Sequence, residues 1–510
     1  MKRVDEKARE QGISSYSLME NAGLAVADAV QALAGSPCRV VVLAGPGNNG
    51  GDGAIAAVEL DSLEYEVHVV RIVTEQKSYG DANRAFQSWH HPIEIISLNE
   101  IELSDTTSTL ILSADVVVDA MFGAGLTRPL SGIVAAMVKL VNDGPAQVVA
   151  VDVPSGLSGN THNVNGPCVE AELTVTFFLH KPAHFLYPGR QLCGSVLLAQ
   201  IGLDNEQLDQ HEPNCYLNEP AVFYSMMPRI NTIGHKFHRG HVLVRSGPVE
   251  STGAARLSAE TALRCGAGLV TVATSHDALL VNAAHLTAVM LKCCDTEHAW
   301  KEQLADPRIT TVVVGPGNGI SEGTRNSVIS SLESEKQCVL DADALSCWSD
   351  NNWRHELMKV MASTTASVVL TPHAGEFEHL FGNLSDEQFP SKLHKALEAA
   401  SQSRAVIVYK GADTVVASPD GRSSINANAP PWLATAGTGD VLAGLIAALL
   451  AQGMPPFEAS CAAVWLHGAA AESLGYPLCS EDLVGQVANE LGNNISTIAK
   501  SPTLARSKIK

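Results

Sequence analysis

Basic residues are scarce in this chain of 510 residues. It has 34 lysines and arginines against 54 aspartates and glutamates, which gives a formal net charge of −20. Such an excess of negative charge disfavours contact with a phosphate backbone or an anionic membrane surface. We therefore expect no nucleic acid and no membrane as partner, whereas a local pocket for a phosphorylated small molecule is compatible with the composition.

Long hydrophobic runs and paired cysteine motifs are also missing. The first ten residues, MKRVDEKARE, have no apolar segment typical of a secretory signal. The most apolar window, near Val441–Leu450, is shorter than the roughly 20 residues that span a membrane. The 11 cysteines are spaced irregularly and include no C-x-x-C pair, a pattern typical of reduced thiols. These features predict a cytoplasmic protein.

Apolar strand patterns alternate with helical patterns in the first part of the chain. The strand patterns, all rich in β-branched residues, are Arg39–Ala44, Glu66–Val73, Asp115–Ala120, Gln147–Val153 and Leu173–Phe178. A helix is predicted over about Ser15–Ala34, where apolar residues recur at helical spacing. Because apolar strands between helices are typical of a parallel sheet covered on both faces, we predict an α/β fold.

A polar segment, Asp204–Pro220, separates this region from a second series of strand patterns. It contains two prolines and has no strong periodicity, so we interpret it as a linker. The strands of the second series are predicted at Gly240–Val244, Leu269–Ala273, Thr310–Val314, Gln337–Leu340, Ser367–Leu370, Ala405–Tyr409 and Thr414–Ala417. Two helices, about Gly439–Ala451 and Pro456–Leu474, close the series. The predicted domains are residues 1–215 and residues 223–505.

A glycine-rich loop follows the first predicted strand. The segment Val40–Gly53 reads VVVLAGPGNNGGDG and has five glycines within nine residues. Its candidate binding residues are Asn48, Asn49, Gly50, Gly51 and Asp52. Glycine allows the backbone to come close, so that successive N–H groups can surround a phosphate before the next helix begins. The alternative is a tight turn that packs a helix on a sheet, but the two amides and the acid favour a binding site.

Acidic residues stand at the ends of two further strands. Asp119 precedes a glycine-rich turn in VVVDAMFGAGL, and Asp152 in VAVDVPSGL is followed by Ser155. Ligands of open α/β sheets bind outside the carboxyl ends of the strands, so these residues and Asn49 are expected to lie close together. Amide, hydroxyl and carboxylate oxygens suit a hard monovalent or divalent cation better than zinc. Each lone aspartate could instead cap a helix, an alternative that is weak for the set.

These motifs, in this order, resemble the NAD(P)H-hydrate epimerase family. The resemblance rests on SLMENAG at Ser17–Gly23, on the NNGGDG, DAMFGAGL and VDVPSGL segments and on Lys181–Pro182, and it covers about residues 1–215. It implies a Rossmann-like domain that binds the hydrated nicotinamide dinucleotide, with Asp152 as the acid/base that contacts the substrate. The implied substrate residues of the second turn are Gly123, Ala124, Gly125 and Leu126. The implied potassium ligands are Asn49, Asp119 and Ser155.

The second predicted domain has its strongest signal at Ala434–Gly444, which reads ATAGTGDVLAG. Its candidate residues are Gly437, Thr438, Gly439 and Asp440. An apolar helix begins at once, and the N–H groups of a helix N-terminus stabilise anionic oxygens. A carboxylate there can take a proton from an attacking hydroxyl. A turn with a helix cap is the alternative, and the upstream segment KGADT at Lys410–Thr414 makes it the weaker one.

This second set resembles the ADP- or ATP-dependent NAD(P)H-hydrate dehydratases of the ribokinase-like superfamily. The resemblance rests on GHK at Gly234–Lys236 and on GPGNG, LDADAL, TPHAGEF, KGADT and ATAGTGD, over about residues 225–490. It implies phosphoryl transfer to the C6 hydroxyl of the hydrated cofactor and loss of phosphate, with Asp440 as base and Mg²⁺ beside the nucleotide. The implied substrate contacts are Gly317, His373 and Asp440. The implied nucleotide residues are Lys410, Gly411, Ala412, Asp413, Thr414, Gly437, Thr438 and Gly439.

The sequence therefore predicts two three-layer α/β domains, one Rossmann-like and one ribokinase-like, that together repair damaged nicotinamide cofactors. The first would interconvert the R and S epimers of NADHX and NADPHX, and the second would dehydrate the S epimer. ADP is favoured as donor and ATP stays open; a homo-oligomer is expected. The alternative is a ribokinase-like small-molecule kinase, whose product keeps its phosphate, fused to a non-catalytic dinucleotide-binding module.

Overall fold

The computed structural model describes residues 7–74, 80–164, 166–203, 214–229, 233–498 and 508–509. The chain divides into two compact units, residues 1–213 with 508–510 and residues 214–507. Among the described residues, no helix has the length and apolar character needed to cross a bilayer. A two-residue strand, Lys508–Ile509, is described near the C-terminus.

A seven-stranded parallel sheet forms the middle layer of the first unit. Its strands are β1 (Arg39–Ala44), β2 (Glu66–Val73), β3 (Ile93–Ser97), β4 (Val116–Ala120), β5 (Gln147–Val151), β6 (Leu173–Phe177) and β7 (Ser195–Ala199). They lie in the order β3-β2-β1-β4-β5-β6-β7, and every adjacent pair is parallel. The strand order reverses between β1 and β4, and this reversal opens a crevice at the carboxyl ends of the strands.

Helices cover both faces of this sheet. They are α1 (Ser15–Ala34), α2 (Asn48–Ser62), α3 (Asp81–Gln87), α4 (Asp105–Leu112), α5 (Gly132–Asp143) and α6 (Gly189–Leu192). Along β1, Val40 and Val42 pack with α1 and α2, whereas Val41 and Leu43 pack with α5 on the opposite face. Alternate residues of a strand point to opposite faces, so an unbroken apolar strand is what a sheet buried on both sides requires. The predicted three-layer arrangement is confirmed for this unit.

The second unit is built on a longer, mixed sheet. Its strands are β8 (Cys215–Leu217), β9 (His241–Arg245), β10 (Leu269–Thr274), β11 (Met290–Cys293), β12 (Thr311–Val314), β13 (Gln337–Leu340), β14 (Val368–Leu370), β15 (Val406–Tyr409), β16 (Val415–Ala417) and β17 (Ser423–Ile425). Within this unit they lie in the order β11-β10-β9-β12-β13-β14-β15-β16-β17-β8. The strands from β11 to β15 are parallel to one another, while β16 is antiparallel to both β15 and β17.

Twelve described helices accompany the second sheet. They are α7 (Pro220–Phe223), α8 (Thr252–Arg264), α9 (His276–His285), α10 (Glu297–Leu304), α11 (Glu322–Glu333), α12 (Asp343–Ser346), α13 (Asn351–Ser363), α14 (Ala374–Phe381), α15 (Lys392–Ser403), α16 (Thr438–Ala451), α17 (Pro456–Leu474) and α18 (Ser480–Ile498). The largest apolar cluster joins Val313 of β12 to α8, α16, α17 and α18. Val312 and Val314 are fully buried outside that cluster, so this sheet too is covered on both faces.

The predicted linker Asp204–Pro220 needs correction at its end. Its first ten residues, 204–213, lie outside the described residues. The remainder includes β8, which pairs with β17 and belongs to the second unit. Tyr216 is buried in the core of that unit, and the Nδ2 of Asn218 donates to Asn426 Oδ1 at 3.0 Å and to Cys461 O at 2.9 Å. A three-residue strand carries too little periodicity to be recognised among polar neighbours.

Candidate active sites in the two units

A cavity of about 640 Å³ opens at the carboxyl ends of the first sheet. The loops after β1, β4 and β5 all contribute to its wall, as the strand order requires. The predicted residues that line it are Asn48, Asn49, Asp52, Gly123, Ala124, Gly125, Leu126 and Asp152. Sequence motifs that are far apart in the chain are thus brought to one place.

Gly50 and Gly51 are tightly packed, and their predicted contact with a ligand stays a prediction. Neither is among the lining residues of the cavity. A Cβ on Gly50 would lie 2.0 Å from the carbonyl oxygen of Gly45, and one on Gly51 would lie 2.6 Å from Met19 Sδ. These two glycines let α2 pack against its preceding loop and α1, a packing role of the kind that the tight-turn alternative describes.

Asp119 and Ser155 form a buried polar pair below the cavity floor. Both side chains are fully buried. Ser155 donates from Oγ to Asp119 Oδ1 at 2.6 Å and from its backbone N to Oδ2 at 2.7 Å. Burial raises the pKa of Asp119 to about 6, although these hydrogen bonds oppose the rise. No cationic side chain among the described residues contributes to that carboxylate's pKa.

Asn49 completes the predicted cation-binding set. Its side-chain oxygen lies 3.0 Å from the position that a Cβ on Gly123 would take, and its Nδ2 is buried with no hydrogen-bond partner in the described part of the chain. Amide orientation is assigned from such partners, and the flipped orientation would place an oxygen at the unpaired position. Buried amide, hydroxyl and carboxylate oxygens beside an uncompensated negative charge fit a hard cation.

Asp152 occupies a strained backbone position directly after β5. Its φ is +70°, which is unusual for a residue with a side chain. Its Oδ1 lies 2.5 Å from Lys181 Nζ and accepts a hydrogen bond from Thr176 Oγ1 at 3.1 Å, and its Oδ2 accepts from the Ala124 N–H at 3.2 Å. Burial alone would raise the pKa of Asp152, but the Lys181 ammonium outweighs it and holds that pKa below its ordinary value.

The site of the second unit centres on a half-buried lysine. Lys410, which follows β15, places its Nζ 2.7 Å from Asp341 Oδ1 and 4.0 Å from Glu376 Oε2. Burial by itself would lower the pKa of Lys410, but the two carboxylates raise it above its ordinary value. A Cβ on Gly439 would lie 3.6 Å from Lys410 Nζ and 3.8 Å from Asp341 Oδ2. The lysine therefore faces the start of α16.

Asp440 lies in the first turn of α16 and is half-buried. Burial raises its pKa to about 7; the charges of Asp341 and Asp343 add to the rise, and Lys410 opposes it. Gly437 adopts φ +86° at the N-cap, a left-handed conformation that favours glycine. The Thr438 hydroxyl lies 3.0 Å from both the Leu433 and Thr435 carbonyl oxygens, which fixes the entry into the helix. The predicted base is thus poised near neutral pH.

The segment Lys410–Thr414 is held by a second lysine. Lys392 of α15 places its Nζ 2.6 Å from Asp413 Oδ1 and 3.3 Å from the Lys410 carbonyl oxygen. The Thr414 hydroxyl accepts from the Gly411 N–H at 3.2 Å and donates to the Gly411 carbonyl at 2.9 Å. Gly411 and Ala412 are exposed, whereas Asp413 and Thr414 are buried. The first two are therefore the accessible part of the predicted nucleotide loop.

The two predicted substrate contacts, Gly317 and His373, lie at the ends of other strands. Gly317 follows β12 with φ +66°, and its carbonyl accepts a hydrogen bond from Ser251 Oγ at 2.6 Å. His373 is exposed and caps α14, where its Nδ1 accepts from the Glu376 N–H at 3.1 Å. A capping role explains His373 structurally, and its Nε2 lies 3.4 Å from Glu376 Oε1. Both contacts stay predictions.

Several polar and charged neighbours were not singled out as site residues from the sequence. They are Thr176 and Lys181 in the first unit, and Asp341, Asp343, Glu376 and Lys392 in the second. The segments LDADAL and TPHAGEF at strand ends were the available signal for three of them. Asp341 and Lys410 are 69 residues apart in the chain, and no local pattern reveals such a pairing.

The fold and the two sites define a two-unit α/β enzyme with ligand sites at strand ends and helix N-termini. Residues 15–183 match the family model described as YjeF-related protein N-terminus, and residues 242–487 match the one described as NAD(P)H-hydrate dehydratase. The chain is 34% identical over 92% of its length to the bifunctional NAD(P)H-hydrate repair enzyme Nnr of Thermofilum pendens, covering 90% of that protein. It is 31% identical over 92% of its length to the Escherichia coli protein of the same name, covering 87% of it.

A solved structure described as an ADP/ATP-dependent NAD(P)H-hydrate dehydratase from Bacillus subtilis, co-crystallised with ATP and Mg²⁺, is 28% identical. It matches 56% of this chain and 98% of that one, with a TM-score of 0.47. The chain belongs to the family of bifunctional NAD(P)H-hydrate repair enzymes, as the high coverage of both family relatives shows. The resemblance inferred from the sequence is confirmed.

Proposed function

We propose that the first unit epimerises (R)- and (S)-NAD(P)HX and that the second dehydrates the S epimer to NAD(P)H with ADP or ATP. The observation that carries this proposal is the presence of both sites in one chain of this family. The first unit keeps Asp152 in the wall of its cavity, and the second keeps Asp440 with a pKa of about 7 at a helix N-terminus. One chain then acts on both epimers of the damaged cofactor.

In the first unit, we assign Asp152 to proton transfer at the C6 hydroxyl. Asn48, Asn49 and Asp52 at the N-terminal end of α2 and the turn Gly123–Leu126 would bind the dinucleotide, in part through backbone N–H groups, because the net charge of −20 offers no general attraction for it. Asn49, Asp119 and Ser155 would hold K⁺. The ion would supply positive charge beside the buried carboxylate and fix the loops that carry these residues.

In the second unit, we assign Asp440 as the base that takes the proton of the C6 hydroxyl while the terminal phosphoryl group is transferred. Gly439 and the adjacent N–H groups would hold the developing negative charge. Lys410 and the Gly411–Thr414 segment would bind the nucleotide phosphates, and Mg²⁺ would neutralise part of their charge. Gly317 and His373 would contact the substrate.

We retain ADP as the favoured donor, a cytoplasmic location and a homo-oligomeric state as parts of the proposal.

The test gives the purified protein a mixture of both NADHX epimers with either ADP or ATP. Complete return of NADH absorbance with release of phosphate is the expected result. We expect Asp152→Asn to stop conversion partway, because the R epimer is no longer supplied to the second unit. We expect Asp440→Asn to abolish NADH formation while the epimers still interconvert. Loss of a positioned general base lowers rates by about 100-fold or more.

Exposed aspartates serve as matched controls. Asp28→Asn on α1 and Asp277→Asn on α9 change the same functional group outside both sites, and both should retain full conversion. A stable phosphorylated product without NADH would instead identify a small-molecule kinase. Dinucleotide binding without epimerisation would identify the first unit as a non-catalytic module.

A further inference from the structure

A buried lysine lies behind Asp152 in the first unit. Lys181 lines the cavity but is only 4% exposed. Its Nζ lies 2.5 Å from Asp152 Oδ1 and 2.7 Å from Thr176 Oγ1. A buried ammonium group is costly unless it is paired and hydrogen-bonded, and these two oxygens meet that requirement.

Thr176 closes a three-membered network with the same two residues. Its hydroxyl accepts a hydrogen bond from Lys181 Nζ and donates to Asp152 Oδ1 at 3.1 Å. Oδ1 is therefore occupied by two donors. In the described part of the chain, Oδ2 has one hydrogen bond, from the Ala124 N–H at 3.2 Å. The two carboxylate oxygens are thus unequal, and Oδ2 retains the capacity to accept a proton.

The backbone of Asp152 is fixed by a separate set of bonds. Its N–H donates to the Val175 carbonyl at 2.7 Å. His184 accepts from the Lys181 N–H through Nδ1 at 3.1 Å, so its Nε2 carries the proton and donates to the Asp152 carbonyl at 3.0 Å. These bonds hold the residue at φ +70°, a conformation that persists only where the surroundings impose it.

Lys181 is the cationic partner of Asp152, because the other titratable groups that face this carboxylate are neutral, acidic or exposed. Burial, followed by the charge of Lys181, lowers the pKa of His184 to about 3 and that of His180 to about 4, so both rings are neutral at neutral pH. Burial and the charge of Asp152 raise the pKa of Asp52 well above its ordinary value. Arg9 and Arg128 also line the cavity, but both are exposed.

We propose that Lys181 and Thr176 are a positioning pair that fixes the Asp152 carboxylate and directs Oδ2 to the substrate. This inference rests on the proposed role of Asp152 in epimerisation. In the substrate, C6 carries the hydroxyl whose configuration changes. Oδ2 accepts the proton of that hydroxyl as the C6–N1 bond breaks, so that the C6–O bond becomes a carbonyl and the electron pair leaves on N1. N1 then adds to the other face of the carbonyl, which re-forms the C6–N1 bond with the opposite configuration, and Oδ2 returns the proton to the oxygen. Lys181 keeps its own proton throughout, so the step needs no further reactant.

The test compares Lys181→Met and Thr176→Val with wild type in the full chain. We expect kcat for epimerisation to fall about 100-fold in Lys181→Met and about 10-fold in Thr176→Val, with KM within about threefold, because a positioned acid/base contributes on this scale. Dehydration of the S epimer by the second unit of the same molecules should be unchanged. That activity reports the concentration of the chain, and thermal unfolding of the first unit, followed separately, reports whether that unit is folded.

Two further variants separate positioning from packing. Thr174→Val removes a buried hydroxyl from the same strand, one that donates to the Cys193 carbonyl at 2.7 Å and does not contact Asp152. It should be destabilising without lowering kcat. Thr176→Ser keeps the hydroxyl and should recover most of the activity that Thr176→Val loses. If Lys181→Met fails to fold, the contrast between these three threonine variants decides.

Several outcomes would overturn the inference. They are a kcat within threefold of wild type in folded Lys181→Met, an effect on KM alone, and equal activity of Thr176→Ser and Thr176→Val. Asp152→Asn distinguishes a failure of the proposed role of Asp152 from a failure of the proposed positioning pair. Full epimerisation by Asp152→Asn removes the proposed role of Asp152 itself, whereas an inactive Asp152→Asn beside an active Lys181→Met removes only the positioning pair.

Discussion

The carboxylate of Asp440 combines burial with a dense set of charged neighbours. Its pKa of about 7 comes first from burial and then from the charge of Asp341, with Lys410 acting in the opposite direction. A base with such a pKa is largely ionised just above neutral pH and can still release the proton that it takes. On the proposed role of Asp440, the same neighbours would set the pH range of dehydration, and Asp341 also holds Lys410, the proposed nucleotide contact, in place.

This arrangement predicts the pH dependence of the second unit. As a base, Asp440 must be ionised, so kcat/KM for dehydration should rise through pH 7 and level off above it. Asp341→Asn removes a negative charge that raises the pKa of Asp440, and the rise should move to lower pH. Asp277→Asn, an exposed change on α9, should leave the profile in place. An unmoved profile in Asp341→Asn would contradict this electrostatic account.

Potassium should stabilise the first unit through Asp119. The carboxylate is fully buried, and burial raises its pKa to about 6, so a bound cation offsets the cost of keeping it ionised at neutral pH. We expect a higher Tm in KCl than in tetramethylammonium chloride at equal ionic strength. Asp119→Asn should remove the difference, and Asp28→Asn should keep it. Equal Tm values for the wild type in the two salts would count against a cation at this site.

At the scale of residues, the sequence predicted individual site residues better than it predicted which of them contact one another. Asp119, Asp152, Asp440 and Lys410 stand in motifs at strand ends, where parallel strands place ligand-binding side chains. Lys181 was recognised as part of a motif, but its contact with Asp152 depends on the register of β5 against β6. Contacts between residues far apart in one chain leave no periodic signal, which is why these partners emerged only from the structure.

At the level of elements, long apolar patterns were predicted most accurately. The expected bounds of α1, β1, β2, β13 and α17 coincide with those observed. The strands β3, β7, β8, β11 and β17 were missed; they are the outermost strands of the first sheet and, in the second unit, strands near its ends. The edge strands are short and partly exposed, whereas β17 is buried but has two serines among its three residues, so these strands lack the long continuous apolar run that identifies a buried strand.

The close contact of α8 with α16 depends on a glycine. A Cβ on Gly444 would lie 2.2 Å from the Ser258 carbonyl oxygen, whereas one on Gly485 of α18 has open space around it. Gly444→Ala should destabilise the second unit by about 1–3 kcal/mol or more through overpacking. Gly485→Ala should stabilise it by up to about 1 kcal/mol, since alanine favours helices. Urea midpoints for loss of dehydration activity measure both, and similar shifts would contradict the proposed contact.

At the scale of the whole molecule, the two α/β units were predictable and their boundary was not. Each unit repeats a strong alternation of strands and helices, which is a signal spread over many residues. The boundary depends on β8, three residues whose place in the second sheet comes from pairing with β17. We propose that the second unit begins near residue 214, ahead of the residue 223 expected from the sequence.

This boundary predicts different behaviour for two fragments of the second unit. A fragment that starts at residue 214 keeps β8 and the hydrogen bonds of Asn218 to Asn426 and Cys461. A fragment that starts at residue 223 loses them and leaves β17 as an unpaired edge. We expect a higher Tm and a larger soluble yield for the longer fragment, with dehydration activity retained. Equal Tm and yield would place the boundary at the later residue.

The left-handed backbone at Asp152 constrains how this enzyme can evolve. Glycine, asparagine and aspartate adopt such a conformation most readily, and a single base change in an aspartate codon can produce either of the other two. Both replacements would fit the turn after β5 while removing the carboxylate. On the proposed role of Asp152, each replacement would remove epimerase activity in one step, but it would also leave the buried Lys181 ammonium without its carboxylate partner. We therefore expect a homologue with Asn or Gly at this position to carry a neutral residue in place of Lys181 as well, and its first unit to bind ligand without catalysis.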